Sequence, residues 1–289
     1  MHIAEVVTIA KSLPLLRLNT YKSLILSYSA DYKEFLGKIN ATNMTAKQLK
    51  SKIILAVESG ETDFTITLPA DASAEVCRAI FDAFIDSKAS DGSINLTLNG
   101  VTKIPNNAFY NNDTKIIPPY FLKTVTLSDA EEIGYKAFSA ASYMTNISIP
   151  KVKKIGKYAF WECSKITEFN APELTELGEH ALLLCSELTT VNLPKVTTIG
   201  GEALFCCSKL TSITFGNLSF VDHLDDGLFS YRSPTRNVNI TLHLSSDQKT
   251  MEKGKDNIWR PTGAAYKDSE YHKNKSFIGY IFKDVIVGE

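Results

Sequence analysis

No charge of one sign dominates this chain. Lysine and arginine number 31, aspartate and glutamate 32, and the net charge is -1. A nucleic-acid footprint needs a concentrated basic excess, which is missing. Long apolar runs are missing too: no stretch approaches the roughly 18 consecutive apolar residues that a membrane-spanning helix needs. With 5 cysteines in 289 residues, a disulfide scaffold is excluded. No glycine-rich phosphate loop and no Gly-x-Ser-x-Gly elbow occurs. The histidines His2, His180, His223, His243 and His272 lie scattered without metal-ligand spacing. The sequence therefore offers no catalytic, cofactor or metal site. Met1 to Ala30 is fairly apolar, but Lys11, Arg17 and Lys22 interrupt it. It lacks the basic start and unbroken apolar core of a secretory signal. A cytoplasmic protein and a mature exported form both fit that segment.

What the chain does have is an echo every 22 residues, clearest over 123–217. Ile133-Gly134-Tyr135-Lys136-Ala137-Phe138 returns as Ile155-Gly156-Lys157-Tyr158-Ala159-Phe160. It returns again at Leu177-Gly178 and at Ile199-Gly200. Such self-similarity marks a solenoid, in which each coil buries its apolar side against its neighbours. Met144, Ile166, Leu188 and Leu210 form one apolar column. Ile147, Phe169, Val191 and Ile213 form a second, and Ile149, Ala171, Leu193 and Phe215 a third. The last two lie two residues apart, so they share one face of a strand. Pro150, Pro172 and Pro194 end that strand, because proline cannot donate to a ladder. Gly134, Gly156, Gly178 and Gly200 read as a tight bend. Phe138, Phe160, Leu182 and Leu204 close the coil through a turn or short 3₁₀ piece.

The flanks differ from this zone. Residues 1–43 carry little signal beyond a short helix near Tyr32–Leu36 and a loop at Asn40–Asn43. Thr45 and Gln48 form a capping-box pair for a helix with Leu49, Ile53, Ile54 and Val57 on its apolar face, stopped at Gly60. A strand follows at Phe64–Leu68, then a helix capped by Asp71 or Ser73 and running to Lys88, then a strand at Ser93–Leu98. Residues 44–92 thus read as helical coils capping the N-terminal end. The solenoid proper is expected over 93–244. An insertion separates Ile104 from Ile133, with Asn111–Thr114 and Pro118-Pro119 looping out. The echo decays over Leu218–Phe229. Val238–Leu242 reads as a strand. Residues 245–289 read as a C-terminal cap: a loop-like stretch anchored by Trp259 and a closing strand within Phe277–Val287.

The pattern Leu-Thr-x-Val-x-Leu-Pro-x-Val-Thr-x-Ile-Gly-x-x-Ala-Leu at 188–204, followed by Cys207-Ser208, resembles the BspA-like leucine-rich-repeat family. Copies at 144–164 and 166–186 follow it closely. The resemblance implies a right-handed α/β solenoid with parallel strands on the concave face. It further implies a bacterial secreted or cell-surface protein, extracellular and non-enzymatic, that adheres to a protein or glycan ligand on host or neighbouring cells. The rival class is a structural scaffold that associates with itself as a weak homo-oligomer.

Three outward columns are candidates for contact. Thr124, Thr126, Asn146, Ser148, Glu168, Asn170, Thr190, Asn192, Ser212 and Thr214 lie between the buried strand columns. They form a polar ribbon, either a recognition surface or a soluble strand face with threonine chosen for β preference. Glu131-Glu132, Lys153-Lys154, Thr175-Glu176 and Thr197-Thr198 suggest ion pairs between coils that support register. The slot after the closing residue holds Ser139, Trp161, Leu183 and Phe205. Trp161, Leu183 and Phe205 are either a convex apolar patch or core tucked under the bend. Cys163, Cys185 and Cys207 sit one period apart and read as small buried residues. Rungs about 4.8 Å apart leave a chance disulfide open. His180 reads as a solvated surface group. Asp222, Asp225 and Asp226 read as a charged loop. The Asn-x-Ser/Thr sites, among them Asn95, Asn146 and Asn217, read as incidental to a strand-rich repeat.

Overall fold

The computed structural model describes residues 36–110, 118–216, 220–221, 241–244, 251–253, 259–261 and 284–287. The first strand of the described residues is β1 (Lys38–Asn40), and helix α1 (Ala46–Glu58) follows it. The capping box is formed: Gln48 N–H donates to Thr45 Oγ1 at 3.3 Å, and Thr45 N–H donates to Gln48 Oε1 at 2.9 Å. Gly60, at φ 87°, takes the left-handed conformation that ends the helix. Strand β2 (Asp63–Thr67), helix α2 (Ala74–Asp86) and strand β3 (Ile94–Asn99) follow. Ser73 is the cap of α2, accepting from Val76 N–H at 3.3 Å.

From there each coil contributes one longer and one two-residue strand. The longer strands are β5 (Leu122–Leu127), β7 (Asn146–Ser148), β9 (Glu168–Asn170), β11 (Thr190–Leu193) and β13 (Ser212–Phe215). Their partners are β4 (Lys103–Ile104), β6 (Glu132–Ile133), β8 (Lys154–Ile155), β10 (Glu176–Leu177), β12 (Thr198–Ile199) and β14 (Phe220–Val221). The remaining described strands are β15 (Thr241–Leu244), β16 (Met251–Lys253), β17 (Trp259–Pro261) and β18 (Asp284–Val287).

Apart from β16 and β17, the described strands sort into parallel sheets. On the long-strand face the order is β1-β2-β3-β5-β7, then β9-β11-β13-β15-β18. On the short-strand face β4, β6, β8, β10, β12 and β14 form one unbroken sheet. Register repeats coil by coil: Glu168 pairs with Thr190 and Thr190 with Ser212, while Lys154 pairs with Glu176 and Glu176 with Thr198. The turns between the faces are stitched as well. Phe138 N–H donates to Ala159 O at 2.9 Å, Phe160 to Ala181 at 2.9 Å and Leu182 to Ala203 at 2.8 Å. These turn segments thus find backbone partners one coil away, as buried peptide groups require.

The interior is the set of apolar columns, and all are buried. Phe109, Phe138 and Phe160 stack with centroid spacings of 5.1 and 5.6 Å and near-parallel rings. Leu182 and Leu204 continue the file. Each fully buried side chain of this size contributes roughly 1.5–3 kcal/mol of hydrophobic stabilisation. Arg78 of α2 ties the helical end to the first repeat, donating to the carbonyls of Asn107 and Tyr110 at 2.8 and 2.9 Å.

Several expectations are corrected. The glycine column does not make the bend. Gly134, Gly156, Gly178 and Gly200 are not left-handed. They are glycine because the coils touch there: a Cβ on Gly178 would sit 2.6 Å from the Gly156 carbonyl carbon. The left-handed residues come two later, at Lys136, Tyr158, His180 and Glu202, and again at Ala140, Glu162, Leu184 and Cys206. The expected loop at Asn40 is the end of strand β1, held parallel to β2. Helix α2 stops at Asp86, because Lys88 has a φ of 55°. The expected loop-like stretch after 245 contains the antiparallel pair β16–β17. The closing strand reaches the long-strand sheet, where β18 pairs with β15. The short helix near Tyr32, the Asn111–Thr114 bulge, the Leu218–Phe229 echo apart from Phe220-Val221, and Asp222, Asp225 and Asp226 lie outside the described residues. So do His2, His223 and His272.

Candidate functional site

The ten polar residues of the ribbon lie on the long strands. Alternation along each strand puts Val191 and Leu193 inward and Thr190 and Asn192 outward. The inward residues are buried, while the ten ribbon residues are half-buried or exposed. Parallel pairing files them: Thr124 beside Asn146, Thr126 beside Ser148, Glu168 beside Thr190 beside Ser212, and Asn170 beside Asn192 beside Thr214. Asn192 Nδ2 donates to Asn170 Oδ1 at 2.9 Å. Thr124 Oγ1 donates to Asn95 Oδ1 at 2.9 Å, and Asn95 Nδ2 to Asp63 Oδ1 at 2.9 Å. The ribbon is therefore longer than the sequence reading drew it. Thr65, Thr97, Thr241 and His243 join it through the same pairing. Their strands alternate in sequence like the central ones, which is the signal that could have extended the ribbon.

Ion pairs line the edge beside it. Lys151 meets Asp129 at 2.7 Å, Lys153 meets Glu131 at 2.8 Å, Lys154 meets Glu176 at 2.8 Å and Lys195 meets Glu173 at 2.7 Å. Each pair joins neighbouring coils. The hydrogen bond from Lys151, helped by the Gly100 N–H, holds the Asp129 carboxyl below its ordinary range. The Glu176 carboxylate raises the Lys154 ammonium, and Glu179 does the same for Lys157.

The turn side is more varied. Ser139 is fully buried, while Trp161, Leu183 and Phe205 are half-buried. Neither reading of that slot holds in full, because the residues lie along the rim of the turn. The neighbouring slot is the open one: Leu184 is 38% exposed. His180 is not the solvated group expected. Its Nε2 lies 2.8 Å from Glu202 Oε2 and its Nδ1 3.0 Å from Glu179 Oε1. Its ring stacks on Tyr158 at 4.7 Å. Tyr158, His180 and Glu202 share one repeat slot, 22 residues apart, and Glu179 precedes His180, so the period itself is the signal that could have found these partners.

The cysteines are all free. The Cys163, Cys185 and Cys207 thiols donate to the carbonyls of Phe138, Phe160 and Leu182 at 3.3, 3.4 and 3.3 Å. Burial pushes all three thiols far up, and Cys77 up to about 11. Cys206 is exposed. No group of three metal-binding side chains occurs among the described residues. None of their helices is long and apolar enough to cross a membrane.

One period, parallel sheets and a shared interior define a repeat solenoid. The BspA type leucine-rich repeat region matches residues 81–151 and 131–250 in 6 copies, and the chain belongs to that family. Its relatives serve in protein interaction and are in general non-enzymatic. A solved leucine-rich-repeat protein of T. pallidum is 20% identical, with 55% of this chain and 68% of that chain covered at a TM-score of 0.38. No curated protein matches the chain.

Proposed function

We propose that this protein is a non-enzymatic adhesion module that binds a protein on another cell or its matrix, displayed outside a bacterial cell. The ribbon Thr124, Thr126, Asn146, Ser148, Glu168, Asn170, Thr190, Asn192, Ser212 and Thr214 is its contact surface, on the concave side of a right-handed solenoid over 93–244. Residues 44–92 and 245–289 close its ends, and 1–43 lead into it. The observation that carries this reading is the filing of polar, nearly uncharged side chains on neighbouring strands. Their backbone groups are used within the sheet, and the bonds from Asn192 to Asn170 and from Thr124 to Asn95 align neighbouring rungs while spending only part of the outward polar groups that a partner would meet.

The test is binding of the full chain to immobilised extracellular-matrix proteins and cell surfaces. The double variant Asn170→Arg/Asn192→Arg is expected to lower affinity at least about tenfold, a loss of about 1.4 kcal/mol, with the fold intact. Unchanged binding in that variant sinks the ribbon as the site.

A second reading has one observation behind it. Leu184 stands exposed beside Trp161, Leu183 and Phe205, an arrangement suited to weak association between copies. Sedimentation at several concentrations separates the two readings. A mass that grows with concentration and falls back in Leu184→Ser supports self-association; a constant monomer removes it.

A further inference from the structure

Most lysines along the repeats are neutralised by the next coil. Lys103, Lys151, Lys153, Lys154, Lys157, Lys195 and Lys209 each meet a carboxylate. Lys136 is different. Its ammonium lies over the rings of Tyr110, Tyr135 and Tyr158, at 5.4, 5.4 and 5.6 Å from their centroids. Among the described residues no carboxylate lies within ion-pair distance of it. Arg78 of α2, the cation that reaches Tyr110 from the helical end, likewise spends its Nη2 on carbonyls, one of them that of Tyr110, rather than on an acid.

The rings around Lys136 are not sealed off. Tyr110 is buried and forms the floor, Tyr158 is half-buried and Tyr135 is 38% exposed. Trp161 stands edge-on to Tyr158 at 6.4 Å. The backbone fixes the arrangement, since Lys136 and Tyr158 both occupy left-handed turn positions and Lys136 N–H donates to Lys157 O at 3.1 Å. A cation is thus held by aromatic faces, with its charge uncompensated and an exposed phenol beside it.

We propose that Tyr135, Lys136 and Tyr158 form a binding site for an acidic saccharide, an oligosaccharide containing uronic acid. This site is on the turn side and independent of the strand ribbon. The chemistry matches group by group. A pyranose ring has an apolar C–H face that stacks on an exposed phenol, and hydroxyls that bond to a phenolic O–H. Its carboxylate supplies the counter-charge that Lys136 lacks. An ammonium held only by ring faces stays available, because an incoming carboxylate has no existing salt bridge to displace. An acidic peptide offers the charge without the stacking face.

The experiment titrates the full chain with tetragalacturonate by calorimetry at low salt. Galactotetraose is the neutral control and tetraglutamate the charge control. Tetragalacturonate is expected to bind at least about tenfold more tightly than either control. Tyr135→Ser and Lys136→Gln are each expected to cost at least about tenfold, with the melting temperature unchanged for Tyr135→Ser. If Lys136→Gln is destabilised, Tyr135→Ser decides alone, since that side chain is exposed. The proposal is overturned if tetragalacturonate fails to bind the folded chain. It is also overturned if tetraglutamate binds equally well, or if Tyr135→Ser binds like the wild type. Asn170→Arg/Asn192→Arg is expected to leave saccharide affinity unchanged, so the ribbon and this site can fail separately.

Discussion

Gly178 shows how one residue records the fold. Its neighbour coil comes so near that a Cβ would lie 2.6 Å from the backbone of both Gly156 and Lys157. Gly178→Ala is expected to lower stability by about 2–3 kcal/mol, the usual cost of overpacking. Chemical denaturation measures this, and a change near zero would show that the coils are not in contact there. Phe160, buried between Phe138 and Phe169, tests the opposite error. Phe160→Ala leaves a cavity and is expected to cost about 3–5 kcal/mol. The thiols give a reading without mutation. Cys77, Cys163, Cys185 and Cys207 are buried and Cys206 exposed, so native alkylation is expected to modify Cys206 alone. Modification of Cys185 under the same conditions would contradict its placement. At this scale the sequence was legible in the buried columns, where period and polarity agree. It was misleading at Gly178 and His180. A glycine column speaks equally of a bend or of close approach, and His180 meets Tyr158 and Glu202 because they hold its own slot one coil to either side.

Among elements, the longer strands were readable because alternation and the trailing prolines coincide. The two-residue strands β6, β8, β10 and β12 were not, since two residues carry no period. For β6, β8 and β10 the sequence displayed instead the charged residues Glu132, Lys154 and Glu176. The ion pairs between coils contribute to the pH behaviour. Asp129 has a lowered folded pKa, so its contribution is present above the ordinary carboxylate range and is lost as pH falls through the lowered value. Lys154 and Lys157 have raised folded pKa values. Their contribution is full below the ordinary lysine value of 10.5 and is lost as pH rises through the raised values. Thermal melts are therefore expected to weaken at both extremes. The acid limb is expected to shrink in Lys151→Met and the alkaline limb in Glu176→Gln. Limbs unaffected by these changes would mean that the pairs are not formed in solution.

For the whole molecule the period governs everything else. Hydrogen bonds between coils recur at a separation of 22 residues, as from Thr145 Oγ1 to Lys123 O, from Thr189 Oγ1 to Thr167 O and from Thr211 Oγ1 to Thr189 O. The step widens to 29 where the 111–117 segment intervenes, from Tyr135 N–H to Asn106 Oδ1, is 29 again between Ser212 and Thr241, and is 32 between Asp63 and Asn95. A stack of this kind has no single nucleus of contacts that every other part depends on. It tolerates loss of a whole coil and not of a fraction of one. The most direct measurement removes residues 167–188, one full period, and compares the product with a chain lacking only 167–177. The first is expected to keep a cooperative thermal transition and its strand signal by circular dichroism, at a somewhat lower midpoint; the second is expected to lose both. Equal behaviour of the two chains would contradict a structure built from coils in register.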